Sequence, residues 1–367
     1  MNYPKQTLLA WACTLFLLTA AFCAASAQSP ATAPASAAAD DFTLVVLPDT
    51  QIYAMKYPAT FHAQTKWIAD NAAKLNIKYV LHLGDITNNN IPAQWLVARQ
   101  AMARLDGKVP CALTLGNHDI GPGGNSADRG TLLGKYFPMA YWKALPTFGG
   151  VYDKEPESLA NTFHVFDAGG RKWLVLALEF APRDDVLRWA GQVAAAHKDR
   201  RAIVITHGYM YPDGLRYDRG LQQPYNPARY RAGRDGNDGQ QIWTKLVSPN
   251  ENIRLVICGH VWTTGRRSDA NAAGKTVHQM VVDYQRAANG GDGYLRVMKF
   301  SHGGEQAEVY DYSPVLDKIN PDPGASFHLD FSAAPQSKPQ AASQPATGKT
   351  TSTDVTNDPN KIKKKKQ

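Results

Sequence analysis

The chain has 367 residues, 44% of them apolar and 10% aromatic, which is enough to bury one large core or two modest ones and too apolar for a disordered protein. Of its formal charge of +8, Lys5 supplies one unit and residues 332–367, with seven Lys against Asp354 and Asp358, supply five, leaving two for the body. A basic excess held at the ends does not point to a nucleic-acid-binding body, and no recognition helix or zinc-finger spacing supports one.

From the N-terminus, Lys5, an apolar run from Leu8 to about Ala25 and the small residues Ala25, Ser26 and Ala27 read as a secretory signal peptide over 1–27, cut after Ala27. An uncleaved anchor is the competing reading, because the run is nearly long enough to span a bilayer. Export places the mature chain outside the cell or in a periplasm. Phe22 is too large for the residue before a lipidated Cys, which argues against anchoring at Cys23. Residues 28–40, QSPATAPASAAAD, read as a linker.

The body, 41–331, alternates short apolar runs with helical patterns, the signature of layered α/β structure. LVVLPD is a buried strand ending on an acid. In YPATFHAQTKWIADNAAKLN, Phe61, Thr65, Ile68, Ala72 and Leu75 recur at helical spacing. YVLHLGD is a strand, IPAQWLVARQAMARL a helix opened by Pro92, and VPCALTLGNHD a strand. KWLVLALE, RDDVLRWAGQVAAAHK and AIVITHG repeat the strand, helix, strand theme, and GQQIWTKLV is a short helix before the strand NIRLVICGHV. VHQMVVDYQ, YLRVMKF and AEVYDYS follow without helices, so this end is expected to be more antiparallel. Residues 332–367 lack apolar periodicity and read as a disordered, Lys-rich tail, with a solvated end favoured over contact with a membrane surface or another polyanion.

Cys13 and Cys23 leave with the signal. Cys111 and Cys258 sit in apolar runs and read as buried, unpaired strand residues, although an exported compartment would permit a disulfide.

Chemistry collects at the strand ends. Five strong strands finish on Asp49 with Gln51, Asp85, Asn117 with His118, His207 and His260. Any one is weak, but loops after strands are where α/β proteins gather function. Gly84, Gly116 and Gly259 each precede one of these residues and allow backbone to pack closely. A mixed set of carboxylate, amide and imidazole suits a metal centre.

The ordered set DTQ, GD, GNHD, H and GHVW resembles the calcineurin-like metallophosphoesterases, whose motifs run D-x-H, G-D, G-N-H-[DE], H and G-H-x-H. The resemblance covers most of residues 41–312. It implies an α/β fold of two facing β-sheets flanked by helices in four layers, αββα, and a centre for two divalent ions drawn from Mn, Mg, Fe or Zn. One ion would be held by Asp85, Asn117, His207 and His260. The other would take Asp49, position 51, Asp85 as bridge and position 262.

Two positions depart from the family: Gln51 and Trp262 stand where it carries imidazoles. Gln51 can still give a carbonyl oxygen, whereas Trp262 has no lone pair to offer. The ion at Asp49 is therefore expected to bind less tightly and to favour Mn²⁺ or Mg²⁺. The DTQ form resembles a variant branch of the superfamily.

The resemblance further implies metal-activated water attacking phosphorus in a phosphorylated small-molecule or polymer substrate. It makes His118 the candidate for charge stabilisation or leaving-group protonation. Asp119 either orients His118 or caps the strand end. A degenerate member that binds a phosphorylated or acidic ligand without turnover is the alternative. The long segment 208–239, rich in Tyr and Arg and starting beside His207, reads either as a specificity lid contributing Tyr209 or as a solvated crossover. Its DGNDG lacks the spaced Glu of a calcium loop. Arg266 and Arg267 after GHVW are candidate phosphate clamps unless they face water. His62, His82, His164, His278 and His302 match no motif position and read as structural or surface residues.

Overall fold

The computed structural model describes residues 41–334. The expected signal peptide and linker, and all but the first residues of the expected tail, lie outside that range. Among the described residues no helix is long and apolar enough to cross a membrane.

In chain order, β1 (Phe42–Leu47) leads through α1 (Gln51–Lys56) and α2 (Pro58–Asn71) to β2 (Ile77–His82), then α3 (Pro92–Met102) and β3 (Cys111–Leu113). Two short helices follow, α4 (Leu133–Tyr136) and α5 (Met139–Lys143), before β4 (Phe148–Val151), β5 (Thr162–Ala168) and β6 (Arg171–Ala177). Next come α6 (Asp184–Ala196), β7 (Arg201–Ile205), α7 (Gly239–Ile242) and β8 (Ile253–Cys258). The chain closes with β9 (Gly265–Ala270), β10 (Thr276–Val281), β11 (Leu295–Ser301), β12 (Gln306–Ser313), β13 (Lys318–Ile319) and β14 (Ser326–Asp330).

These strands form two mixed sheets. One runs β13-β12-β11-β1-β2-β3, with β14 also on β12; the other runs β4-β5-β6-β7-β8-β10-β9. Alternation along each strand explains why they face each other. Leu44 and Val46 of β1 pack with Val175, Ile203, Ile205, Leu255 and Ile257 of the other sheet, while Val45 and Leu47 pack with Phe61, Ile68 and Trp95 under the helices. On the far side, Leu174, Val204 and Val256 pack against Val186, Leu187 and Leu246. Strands covered on both faces must be apolar throughout, which is why LVVL, IVI and LVIC read as unbroken runs. The result is the expected four-layer α/β sandwich.

Three details differ from the sequence reading. The strand after Pro110 is short, Cys111–Leu113. Strands β4, β5, β9, β13 and β14 have no counterpart in the sequence reading; β5 alternates buried and part-exposed positions around polar residues. Strand β10, expected in an antiparallel end, runs parallel to β8 and is antiparallel only to β9. Cys111 and Cys258 are free and lie in separate cores.

Candidate metal centre

Parallel pairing assembles the site. Strands β1, β2 and β3 are parallel neighbours in one sheet, as are β6, β7, β8 and β10 in the other. Their C-terminal ends therefore carry the following residues to common rims. The rims meet: the backbone N–H of His260 lies 3.2 and 3.3 Å from the two carboxylate oxygens of Asp49, and His207 Nε2 lies 3.3 Å from Asp85 Oδ2 and 4.0 Å from Asp49 Oδ2. Asp49, Asp85 and His207 thus form a compact group of potential ligands, all buried.

The glycines make this approach possible. A Cβ on Gly116 would sit 2.0 Å from Asp85 Oδ1, and one on Gly259 would sit 2.2 Å from Asp49 Oδ1. Asp85 and His260 adopt left-handed backbone, φ +46° and +80°. Non-glycine residues held there cost about 1–3 kcal/mol each, a strain typical of sites where geometry matters more than ease of folding.

The hydrogen bonds of the two imidazoles fix which nitrogens are available. His207 donates Nδ1–H to the Leu83 carbonyl at 2.9 Å, and His260 donates Nε2–H to the Tyr225 carbonyl at 2.8 Å. A neutral ring with one N–H so committed carries its lone pair on the other nitrogen. Those two nitrogens, His207 Nε2 and His260 Nδ1, face each other at 3.2 Å. Two lone pairs at that distance repel unless a proton or a cation lies beside them. Outward N–H groups tied to carbonyls are also the usual orienting device for metal-bound histidines.

Two buried oxygens complete the picture. Gln51 Oε1 and Asn117 Oδ1 have no hydrogen-bond partner. A buried polar atom left alone costs about 1–3 kcal/mol, and both belong to residues anticipated as ligands. The donor set therefore fits divalent cations, most completely around Asp85, Asn117, His207 and His260.

Charge tells the same story. Burial, then Asp283 and Asp85, push the Asp49 carboxyl well above the usual carboxylate range. Burial also opposes ionisation of Asp85, but His207 and His118 outweigh it and hold Asp85 below that range. Burial works against protonating His207, yet Asp85 prevails and raises its pKa, while burial and His207 push His260 down to about 3.

His118 donates its backbone N–H to Asp85 Oδ1 at 2.9 Å and its Nδ1–H to the Asn88 carbonyl at 2.9 Å, so Nε2 is the nitrogen left for other chemistry. Asp119 does not orient that ring. Its carboxylate accepts from the backbone N–H groups of Ile86, Thr87 and Gly116 and from the Thr87 hydroxyl, at 2.7–3.0 Å. Asp119 is thus a clamp between the loops after β2 and β3, which corrects its assignment as a catalytic residue.

Two further assignments are corrected. Tyr209 is buried in the core, its hydroxyl donating to Gln279 Oε1 at 2.8 Å and accepting from Arg216 Nε at 3.1 Å, because the chain after His207 folds back inward. Arg266 lies over the Phe327 ring at 4.3 Å and lines a concavity with His278, Phe327 and His328, none of them metal-centre residues. Strand alternation turns it from the rim. Arg267 is tied to Asp269 and the Gly214 carbonyl.

Segment 208–239 divides into fasteners and a roof. Tyr217 is buried, Arg216 pairs with Asp269, and Arg219 binds the carbonyls of Gly233, Arg234 and Gly236. Asp238 caps α7 rather than a metal. Tyr225 and Tyr230 reach the centre: the Tyr225 carbonyl holds His260, and the Tyr230 ring lies 5.7 Å from the His260 ring. Trp262 meets Tyr225 edge-on at 4.7 Å, with the Arg286 guanidinium 3.7 Å over it. His82 is structural, with Nε2 against the Thr50 hydroxyl and Nδ1 accepting from Gly84 N–H.

Sequence reasoning missed Asp283, fully buried two residues beyond β10, and Gln285 beside it. The signal was the one already used, an acid just past a strand, hidden because β10 was assigned to an antiparallel end.

A family model for calcineurin-like phosphoesterases matches residues 42–262. A curated relative, uncharacterized protein YvnB of Bacillus subtilis strain 168, is 33% identical over 291 residues, 77% of this chain. This chain spans 21% of that relative's length. Among solved structures, purple acid phosphatase PPD1 of yellow lupin is similar at TM-score 0.48 and 14% identity, covering 80% of this chain and 54% of its own. Haemophilus influenzae NAD nucleotidase is similar at 0.41 and 13%, covering 76% and 49%. The match of motif order and family model over more than half the sequence makes this chain a member of the calcineurin-like phosphoesterase family.

Proposed function

We propose that this chain is an exported, metal-dependent hydrolase of phosphate esters. The observation that carries the reading is the pair of imidazole nitrogens, His207 Nε2 and His260 Nδ1, facing each other at 3.2 Å beside the Asp85 carboxylate, with both outward N–H groups fixed by backbone carbonyls. Asp85, Asn117, His207 and His260 would hold one cation; Asp49, Asp85 and Gln51 would hold the other. Bound divalent cations supply Lewis acidity toward phosphoryl oxygens and lower the pKa of water. The protein's own contribution is placement. His118 keeps Nε2 free to carry a proton to a leaving group or to donate to a phosphoryl oxygen, and the Asn88 carbonyl sets its ring. The roof of Tyr225 and Tyr230 limits water around His260, and Trp262, Tyr225 and Arg286 form an aromatic and cationic edge suited to a phosphorylated substrate. Export rests on the leader sequence.

A second reading, ligand binding without turnover, is favoured by one observation: Trp262, which has no lone pair, is packed against Tyr225 and Arg286. Purified protein assayed on p-nitrophenyl phosphate and bis-p-nitrophenyl phosphate, with and without Mn²⁺, separates the two. Mn²⁺-dependent hydrolysis is expected. Bound cations with no turnover of either ester would favour the binding reading, and activity unchanged in His260→Ala would defeat the phosphoesterase assignment.

A further inference from the structure

The centre holds more negative charge than its family motifs account for. Asp49, Asp85, Asp119 and Asp283 are all buried, and among the described residues none has an ion pair with Lys or Arg. Elsewhere this fold does not leave buried acids so. Asp311 is bonded to Arg296 at 2.7 and 2.8 Å, and Glu179 is bonded to Arg183 at 2.8 Å. Asp119 is satisfied by its clamp, which leaves Asp283 as the acid without an assigned purpose.

Its placement is specific. Val282 N–H continues the ladder to the Cys258 carbonyl at 2.9 Å, so β10 delivers Asp283 beside the loop that carries His260. Asp283 Oδ1 accepts from the backbone N–H of Gln285 at 2.8 Å, and Oδ2 from Gln285 Nε2 at 3.0 Å. The same Nε2 lies 3.4 Å from Asp49 Oδ2 and 3.4 Å from the His260 carbonyl. One amide group thus joins Asp283 to the carboxylate that heads the weaker half of the centre. In that half Gln51 Oε1 is buried without a partner, and Trp262 replaces an imidazole.

We propose that Asp283, acting through Gln285, is a positioning residue for the Asp49 cation subsite, supplying there the negative charge and ligand orientation that offset the two absent imidazoles. A nearby third carboxylate strengthens the hold on a hard, oxygen-preferring cation such as Mn²⁺ more than on Zn²⁺. The inference rests on the cation reading of the centre, and adds to it a residue outside the motif set.

The test is Mn²⁺ binding to the full chain, followed by electron paramagnetic resonance of free Mn²⁺. Wild type is expected to show two classes of site. Asp283→Asn, which keeps the side-chain volume, is expected to weaken one class by about 10–100-fold, the usual cost of losing an outer-shell partner, and leave the other unchanged. Gln285→Leu should weaken the same class, and Asn117→Ala the opposite one. Equal weakening of both classes by Asp283→Asn, or of neither, would overturn the proposal while leaving the phosphoesterase reading intact. A wild type that binds no Mn²⁺ would overturn both. Should Asp283→Asn not fold, by circular dichroism, Gln285→Leu carries the test alone.

Discussion

The two halves of the proposed metal centre are built from the same kind of loop and differ in how completely they are furnished. Around Asp85, every expected ligand follows a parallel strand, each imidazole is tied to a carbonyl, and Asn117 presents an orphan oxygen. Around Asp49, one expected ligand position is an amide and another is an indole stacked under Arg286. Backbone placement is thus common to both halves, while strong donors furnish only one.

The largest expected effect breaks the stronger half. Asn117→Ala removes the orphan oxygen and should lower kcat/KM for a phosphate ester by about 10³-fold, the scale of several kcal/mol of transition-state stabilisation. A comparable loss from Gln51→Ala would erase the distinction between the halves. Next comes Gly116→Ala, whose Cβ would meet Asp85 Oδ1 at 2.0 Å; it should destabilise the fold by about 1–3 kcal/mol in urea titration. Gly134→Ala, with nothing within 4 Å of its Cβ, is the control and should not be destabilising.

A gentler change sharpens the comparison by restoring what the weaker half lacks. Trp262→His should tighten binding at the Asp49 subsite about tenfold, near 1.4 kcal/mol, and raise its acceptance of Zn²⁺, read by competition with Mn²⁺. The smallest effect lies outside the centre. Burial pushes His164 down to about 3, with Nε2 against the Thr162 hydroxyl and aromatic rings around it. The unfolded chain takes up that proton near pH 6.5 and the folded chain does not, so this group's stability contribution is full above 6.5 and drains as the pH falls towards 3. His164→Asn should flatten part of that slope in metal-free protein, measured as unfolding free energy against pH, and so separate acid loss of fold from acid loss of cations.

Much of this was readable from the chain because its cause is local. Apolar runs such as LVVL and LVIC mark interior strands, so Asp49, Asp85, Asn117, His207 and His260 could be placed at strand ends before any fold was known. The glycines before them were readable for the same reason. What sequence could not give was direction across space. Tyr209 and Arg266 are near ligands along the chain, yet one folds into the core and the other faces Phe327. Asp119 sits beside His118 but bonds to loops more than thirty residues earlier. Asp283 was hidden because parallel or antiparallel pairing is decided between strands, not within one.

The central claim is that six strand-end side chains from two sheets converge on cations. Crystals grown with Mn²⁺ and measured at a wavelength where manganese scatters anomalously test it most directly. The account expects two peaks, one within bonding distance of Asp85, Asn117, His207 and His260, and a weaker one at Asp49, Asp85 and Gln51. A map with no peak among these residues, or with its strongest peak elsewhere on the molecule, would contradict it.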